Sequence, residues 1–140
     1  MRPDFDRRRV PSRRRRQNVG VTSFSAGQPE NSNVAVERPA ADIAVVRVAG
    51  EVDMVTAPAL ESQVVALVRE RPRLLVIDLT EVRFFSSAGL AVLALAHRES
   101  DEGTQLRVVA NDPAVLRPLE LTGLTEDLSI QSSLKAAIAG

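Results

Sequence analysis

At 140 residues and 44% hydrophobic, the chain is the right size for one folded domain with room for a tail. It has no cysteine and one histidine, His97, which excludes disulfides, thiolate metal sites, cysteine nucleophiles and any histidine cluster able to hold a zinc. The zero net charge hides an asymmetry: residues 1–16 hold eight arginines against Asp4 and Asp6, leaving ten basic and sixteen acidic residues elsewhere, a net of −6.

Residues 1–32 are rich in Arg, Ser, Asn, Gln, Gly and Pro without apolar periodicity, so they are expected to be a disordered basic tail. Arg13 to Arg16 suggest twin-arginine export, but the polar Gln17-Asn18-Val19-Gly20 that follows is no apolar h-region. The tail reads either as a solvated extension or as an arm for phosphate-bearing surfaces. Folded structure is expected over 33–140. Val34–Glu37 and Ile43–Val48 read as strands of a hairpin around the turn Pro39–Asp42, with Gly50 to Asp53 closing it. Thr56 is placed to cap a helix with Pro58 in its first turn and an apolar stripe of Leu60, Val64, Leu67 and Val68. Leu74–Ile77 is a continuous apolar run, the mark of a strand covered on both faces, with Asp78 as its end. After a loop from Leu79 to Ser86, a helix is expected from Ser87 to Glu99 on Leu90, Leu93, Ala94 and His97, which makes His97 a structural residue rather than a ligand. Leu106–Ala110 is a further strand. Asp112-Pro113 opens a helix that Gly123 stops, Leu128–Ile130 is a short strand, and Leu134–Ala139 a last helix. The order ββαβαβαβα predicts a single α/β domain with a mainly parallel sheet and helices packed on it. The longest apolar runs are too short to span a bilayer, so a soluble, cytoplasmic protein is expected.

In open α/β sheets, functional groups gather beyond the carboxyl ends of the strands. Two loops should meet there, Glu51–Ala57 and Thr80–Leu90. The second sets Ser86 and Ser87 at a helix start, between Phe84-Phe85 and Ala88-Gly89. Such a serine reads as an N-cap. It equally suits a phosphoserine, because the helix N-terminus stabilises a dianion whose charge and bulk would disrupt a docked partner. Asp53 reads as a turn cap or as a docking residue. One phenylalanine of the Phe84-Phe85 pair is expected to anchor in the core and the other to face a partner.

The stretch Val76-Ile77-Asp78-Leu79-Thr80, continuing through Phe84-Phe85-Ser86-Ser87-Ala88-Gly89-Leu90, resembles the bacterial anti-sigma factor antagonists (anti-anti-sigma factors), the STAS domain family. Gly50-Glu51-Val52-Asp53-Met54-Val55-Thr56-Ala57 is similar to that family's second motif, and the resemblance covers about residues 33–139. It implies a non-catalytic, cofactor-free regulator that binds an anti-sigma factor and so releases a sigma factor. The anti-sigma factor would be a serine kinase of the histidine-kinase-like ATPase fold. Carried over by position, Ser87 is the phosphoacceptor, a PP2C-type phosphatase reverses the modification, and Asp53, Met54, Val55, Thr56, Ser86, Ala88, Gly89 and Leu90 form the docking surface. The family pattern has Asp where this chain has Ser86. Ser86 therefore shares or replaces Ser87 as acceptor, or this member works without phosphorylation, as an adaptor in a stress-signalling or lipid/anion transport complex.

Other classes fit less well. No phosphate-cradling glycine motif occurs and no nucleophile has a base within motif distance. A phosphotransfer receiver domain needs a late-strand lysine, whereas Lys135, the only lysine, is in the last helix. An acidic domain without Tyr or Trp is a poor nucleic-acid platform, so no direct nucleic-acid partner is expected.

Overall fold

The computed structural model describes residues 32–100 and 102–139. The expected basic tail thus lies outside the described residues, apart from Ser32, which belongs to the first strand. Strands β1 (Ser32–Ala40) and β2 (Ile43–Val52) form the expected antiparallel hairpin, with Val36 opposite Val46 and Ala40 opposite Ile43. A register slip between Glu37 and Ala40 brackets Pro39, whose missing N–H cannot serve a ladder. β1 therefore absorbs Pro39 and Ala40, which were expected in the turn.

Helix α1 (Ala57–Arg69), β3 (Leu74–Phe85), α2 (Ser87–Glu99), β4 (Gln105–Val109) and α3 (Pro113–Leu121) follow. A one-turn α4 (Leu124–Asp127), β5 (Ser129–Gln131) and α5 (Leu134–Ala139) complete the described chain. The sheet order is β1-β2-β3-β4-β5, and every neighbouring pair after the hairpin is parallel. This is the expected α/β alternation, with α4 as an unforeseen turn after Gly123, whose φ of 78° ends α3.

Successive residues of a strand point to opposite faces, and the central strands are apolar on both. On one face Val46, Ile77, Leu79 and Phe85 pack with Leu60 and Val64 of α1, Leu93 of α2 and Leu119 of α3. On the other, Val45, Val76 and Val109 form a smaller cluster with Ala137 of α5. Arg107 clamps that helix by donating to Ala137 O at 2.6 Å.

Two expectations need correction. Asp78 does not end β3, which runs on to Phe85. The pairing moves from Arg47↔Asp78 to Ala49↔Glu81, then from Gly50↔Val82 to Glu51↔Phe84, so β3 twice carries one residue more than β2. These are β-bulges, and they break the alternation that would identify residues 79–85 as a strand. At the first, Asp78 Oδ1 accepts the Thr80 N–H at 3.0 Å and the Thr80 hydroxyl at 2.8 Å. At the second, Gly50 lies opposite with φ 93°. The other correction concerns α2. Its buried face is Gly89, Val92, Leu93 and Ala96, while Leu90 and Ala94 are half-buried and His97 is exposed. The run Leu90–Ala96 is apolar all round, so periodicity could not choose the face, and His97 is not a core residue.

Asp78 is 3% exposed, and its Oδ2 lies 3.6 Å from Arg47 Nε; Arg47 also bonds Glu37 at 3.3 Å. Replacing Asp78 by Ala strands the Thr80 N–H and hydroxyl in a partly buried place. Chemical denaturation of Asp78→Ala should show a loss of about 1 to 2 kcal/mol.

Candidate functional site

The extension of β2 and β3 past β4 brings the two motifs together at the carboxyl end of the sheet. Glu51 pairs with Phe84 and Val52 with Phe85, and the Ser86 N–H donates to Val52 O at 2.9 Å. The two expected loops are therefore shorter than their motifs: residues 53–56 on one side and Ser86 alone on the other.

The 53–56 turn is built by Asp53. Its Oδ1 accepts the N–H of Val55 at 2.9 Å and of Thr56 at 3.0 Å, and its carbonyl accepts the Ala57 N–H at 2.8 Å. The turn-cap reading of Asp53 thus holds. Thr56 stands at the N-cap position of α1 but makes no cap bond. Its hydroxyl accepts the Asp53 N–H at 2.8 Å and shares its proton between Glu51 O at 2.8 Å and Asp53 Oδ1 at 3.2 Å. The Thr56 N–H, aided by that of Val55, holds the Asp53 carboxyl below the usual carboxylate range. The lowering extends the charged range of this carboxylate to more acidic solution, and its contribution is lost as the pH falls through the lowered pKa. This turn presents Met54 and Val55 to solvent, 82% and 73% exposed.

On the other side, Ser86 is the N-cap of α2. It has extended backbone (φ −90°, ψ 179°), and its Oγ accepts the Ala88 N–H at 3.2 Å. Its carbonyl accepts the N–H groups of Gly89 at 3.0 Å and Leu90 at 3.1 Å. Ser87, the first helical residue, is exposed, and its hydroxyl has no hydrogen-bond partner among the described residues. Ala88 and Leu90 are half-buried. Gly89 is buried against the Phe85 ring and Val52: an added Cβ would lie 2.7 Å from Phe85 Cε1 and 2.9 Å from Val52 Cγ1. Phe85 is anchored at 4% exposure, as one of the pair was expected to be, and Phe84 is exposed at 51%.

The structure therefore gathers Asp53 to Thr56 and Ser86 to Leu90 at one end of the sheet. His97 lies ten residues along α2 from Ser87, about 15 Å away along the axis. The arrangement offers an exposed hydroxyl at the positive end of a helix dipole beside a stiff apolar projection. A cavity of about 290 Å³, which sequence reasoning did not foresee, lies elsewhere, lined by Arg47, Asp78, Thr80 and Glu81 among others. Its only advance signal was the Asp78-Leu79-Thr80 triplet. Among the described residues, no helix is long and apolar enough to cross a membrane, and no His/Cys/Asp/Glu group could hold a metal ion.

Residues 34–137 match the STAS domain family. The chain is 37% identical over 98 residues to the anti-sigma-F factor antagonist RsfB of Mycobacterium tuberculosis, covering 70% of this chain and 80% of that one. The crystal structure of an anti-sigma factor antagonist from Mycobacterium paratuberculosis superposes with a TM-score of 0.74 at 40% identity, over 80% of this chain and 96% of that one. The anti-sigma factor antagonist SpoIIAA in its unphosphorylated form gives 0.63 at 16% identity, over 74% and 92%, and shares the fold.

Proposed function

This chain belongs to the STAS-domain anti-sigma factor antagonists, and from that premise we propose that it is a non-catalytic partner switch governed by Ser87. The unmodified protein binds an anti-sigma factor, a serine kinase of the histidine-kinase-like ATPase fold, and so frees a sigma factor. The kinase transfers the γ-phosphoryl group of ATP to Ser87 Oγ, releasing ADP and the hydroxyl proton. The added charge weakens the complex until a PP2C-type phosphatase removes it. The observation that carries this reading is the exposed, unbonded Ser87 hydroxyl at the start of α2. The 53–56 turn beside it supplies the docking surface, together with Ala88, Gly89 and Leu90. Ser86 serves as the cap rather than the acceptor, because its oxygen already receives the Ala88 N–H. A cap needs an acceptor oxygen and not a charge, so Ser can stand where the family has Asp.

The test is a titration of an anti-sigma kinase from the same genome against wild type, Ser87→Ala and Ser87→Glu. Wild type and Ser87→Ala should bind alike, and Ser87→Glu about tenfold more weakly, a difference of about 1.4 kcal/mol. Equal binding by all three would leave a constitutive adaptor and remove the switch. Phosphopeptide mapping after incubation with the kinase should place the label on Ser87; a label on Ser86 would reverse the assignment of the two serines.

A further inference from the structure

The chain has two sulfur atoms, in Met1 and Met54, and no thiol. Met54 is 82% exposed, the most exposed of the large apolar residues described. Its backbone is held by neighbours on both sides: Asp53 Oδ1 receives the N–H of Val55 and Thr56, and Asp53 O that of Ala57. The thioether is thus held out in water on a turn that does not depend on its side chain, two residues from Val52, whose carbonyl ties the turn to Ser86. We propose that Met54 is a site of reversible oxidation by hydroperoxides, and that its sulfoxide weakens docking of the anti-sigma factor. This rests on the reading that the 53–56 turn is a docking surface.

The chemistry needs a peroxide and nothing from the protein except access. The sulfur lone pair attacks one oxygen of hydrogen peroxide. An S–O bond forms, the O–O bond breaks, and the departing hydroxide takes up the remaining peroxide proton as water. Sulfur is oxidised by two electrons and the peroxide reduced by two. A sulfoxide reductase returns the thioether by oxidising a dithiol to its disulfide, and the sulfoxide oxygen leaves as water. The change replaces a flexible apolar tip by a strongly polar one. In the free protein that tip is solvated, so the fold is indifferent to it. On docking, the sulfoxide oxygen must give up water against a surface that accepted an apolar side chain, and an unmatched polar group is penalised there. With no cysteine in the chain, no thiolate intercepts the oxidant first. Such a modification would adjust the partner's affinity independently of Ser87.

The experiment treats the full-length protein with hydrogen peroxide and follows the Met54 peptide by mass. The anti-sigma kinase is then titrated against oxidised and untreated protein, with Met54→Leu and Met54→Asp alongside. The expected result is one oxygen on Met54, binding weakened roughly tenfold, and recovery after a methionine sulfoxide reductase. Met54→Leu should ignore peroxide, its affinity being the same before and after treatment. Peroxide sensitivity retained in Met54→Leu, or no oxygen gained at Met54, overturns the proposal. If oxidised protein binds normally while Met54→Asp fails to bind, oxidation is not a regulator but the turn still docks. If Met54→Asp also binds normally, the turn is not a docking surface, and the proposal falls with that reading.

Discussion

Gly89→Val is expected to destabilise the domain by about 3 kcal/mol, the upper end of what overpacking a core costs. The site has no room even for a methyl group: a Cβ would lie 2.7 and 2.8 Å from two atoms of the Phe85 ring and 2.9 Å from Val52. Neither neighbour can give way easily, because Phe85 is 4% and Val52 1% exposed. The glycine-to-alanine gain in helix propensity, about 1 kcal/mol, is unavailable to a β-branched residue in the same measure. Relief requires the first turn of α2 to lift off the sheet, and that turn carries Ser87. Thermal unfolding should show a fall in Tm on the order of 10–20 °C. A Tm within a degree or two of wild type would mean that the contact between α2 and Phe85 is looser than described. Gly89→Ala, with one methyl and the propensity gain in partial compensation, should fall between the two.

The second large effect is on binding and leaves the fold alone. Val55→Asp puts a carboxylate on a side chain that is 73% exposed in the free protein, so the Tm should move little. In the proposed complex, that charge must give up its water on binding. Affinity for the anti-sigma factor should fall by about 2 kcal/mol or more, roughly thirtyfold. The turn limits the loss of binding to the contact itself, since Asp53 organises it through the Val55 N–H and not through the Val55 side chain. Titration calorimetry on wild type and variant, each first checked for an unchanged Tm, makes the comparison. Unchanged affinity would place the docking surface elsewhere and leave Phe84 as the exposed apolar group to examine next.

How much of this was legible in the sequence depended on what signalled each element. Leu60, Val64, Leu67 and Val68 recur at helical spacing and are all buried in α1. Leu74 to Ile77 is apolar without interruption and buried on both faces. The second half of β3 was not legible, because two extra residues destroy its alternation and because Asp78 and Thr80 look like a turn. They do make a local turn of hydrogen bonds, but inside a strand. The face of α2 was not legible either: a helix apolar all round gives periodicity nothing to choose between, and contact with the Phe85 ring selects Gly89 over Leu90. At the site, the residue types and their order were readable as a resemblance, and the loops were expected to meet. The division of labour was not, since only coordinates reveal that Ser86 spends its oxygen on the Ala88 N–H while Ser87 keeps its own free.

The bond from the Ser86 N–H to Val52 O joins the two halves of the site through main chain alone. No exchange of side chains at 52 or 86, short of proline at 86, can cut it. Substitutions of the exposed side chains at 54, 55 and 87 therefore leave the two halves in register with each other. In the proposed switch, residues 54 and 55 are thus free to change with the partner while Ser87 keeps its place, and position 86 is free to exchange one capping residue for another. A lineage with several copies of such a proposed switch can in this way diversify its pairings through exposed side chains alone.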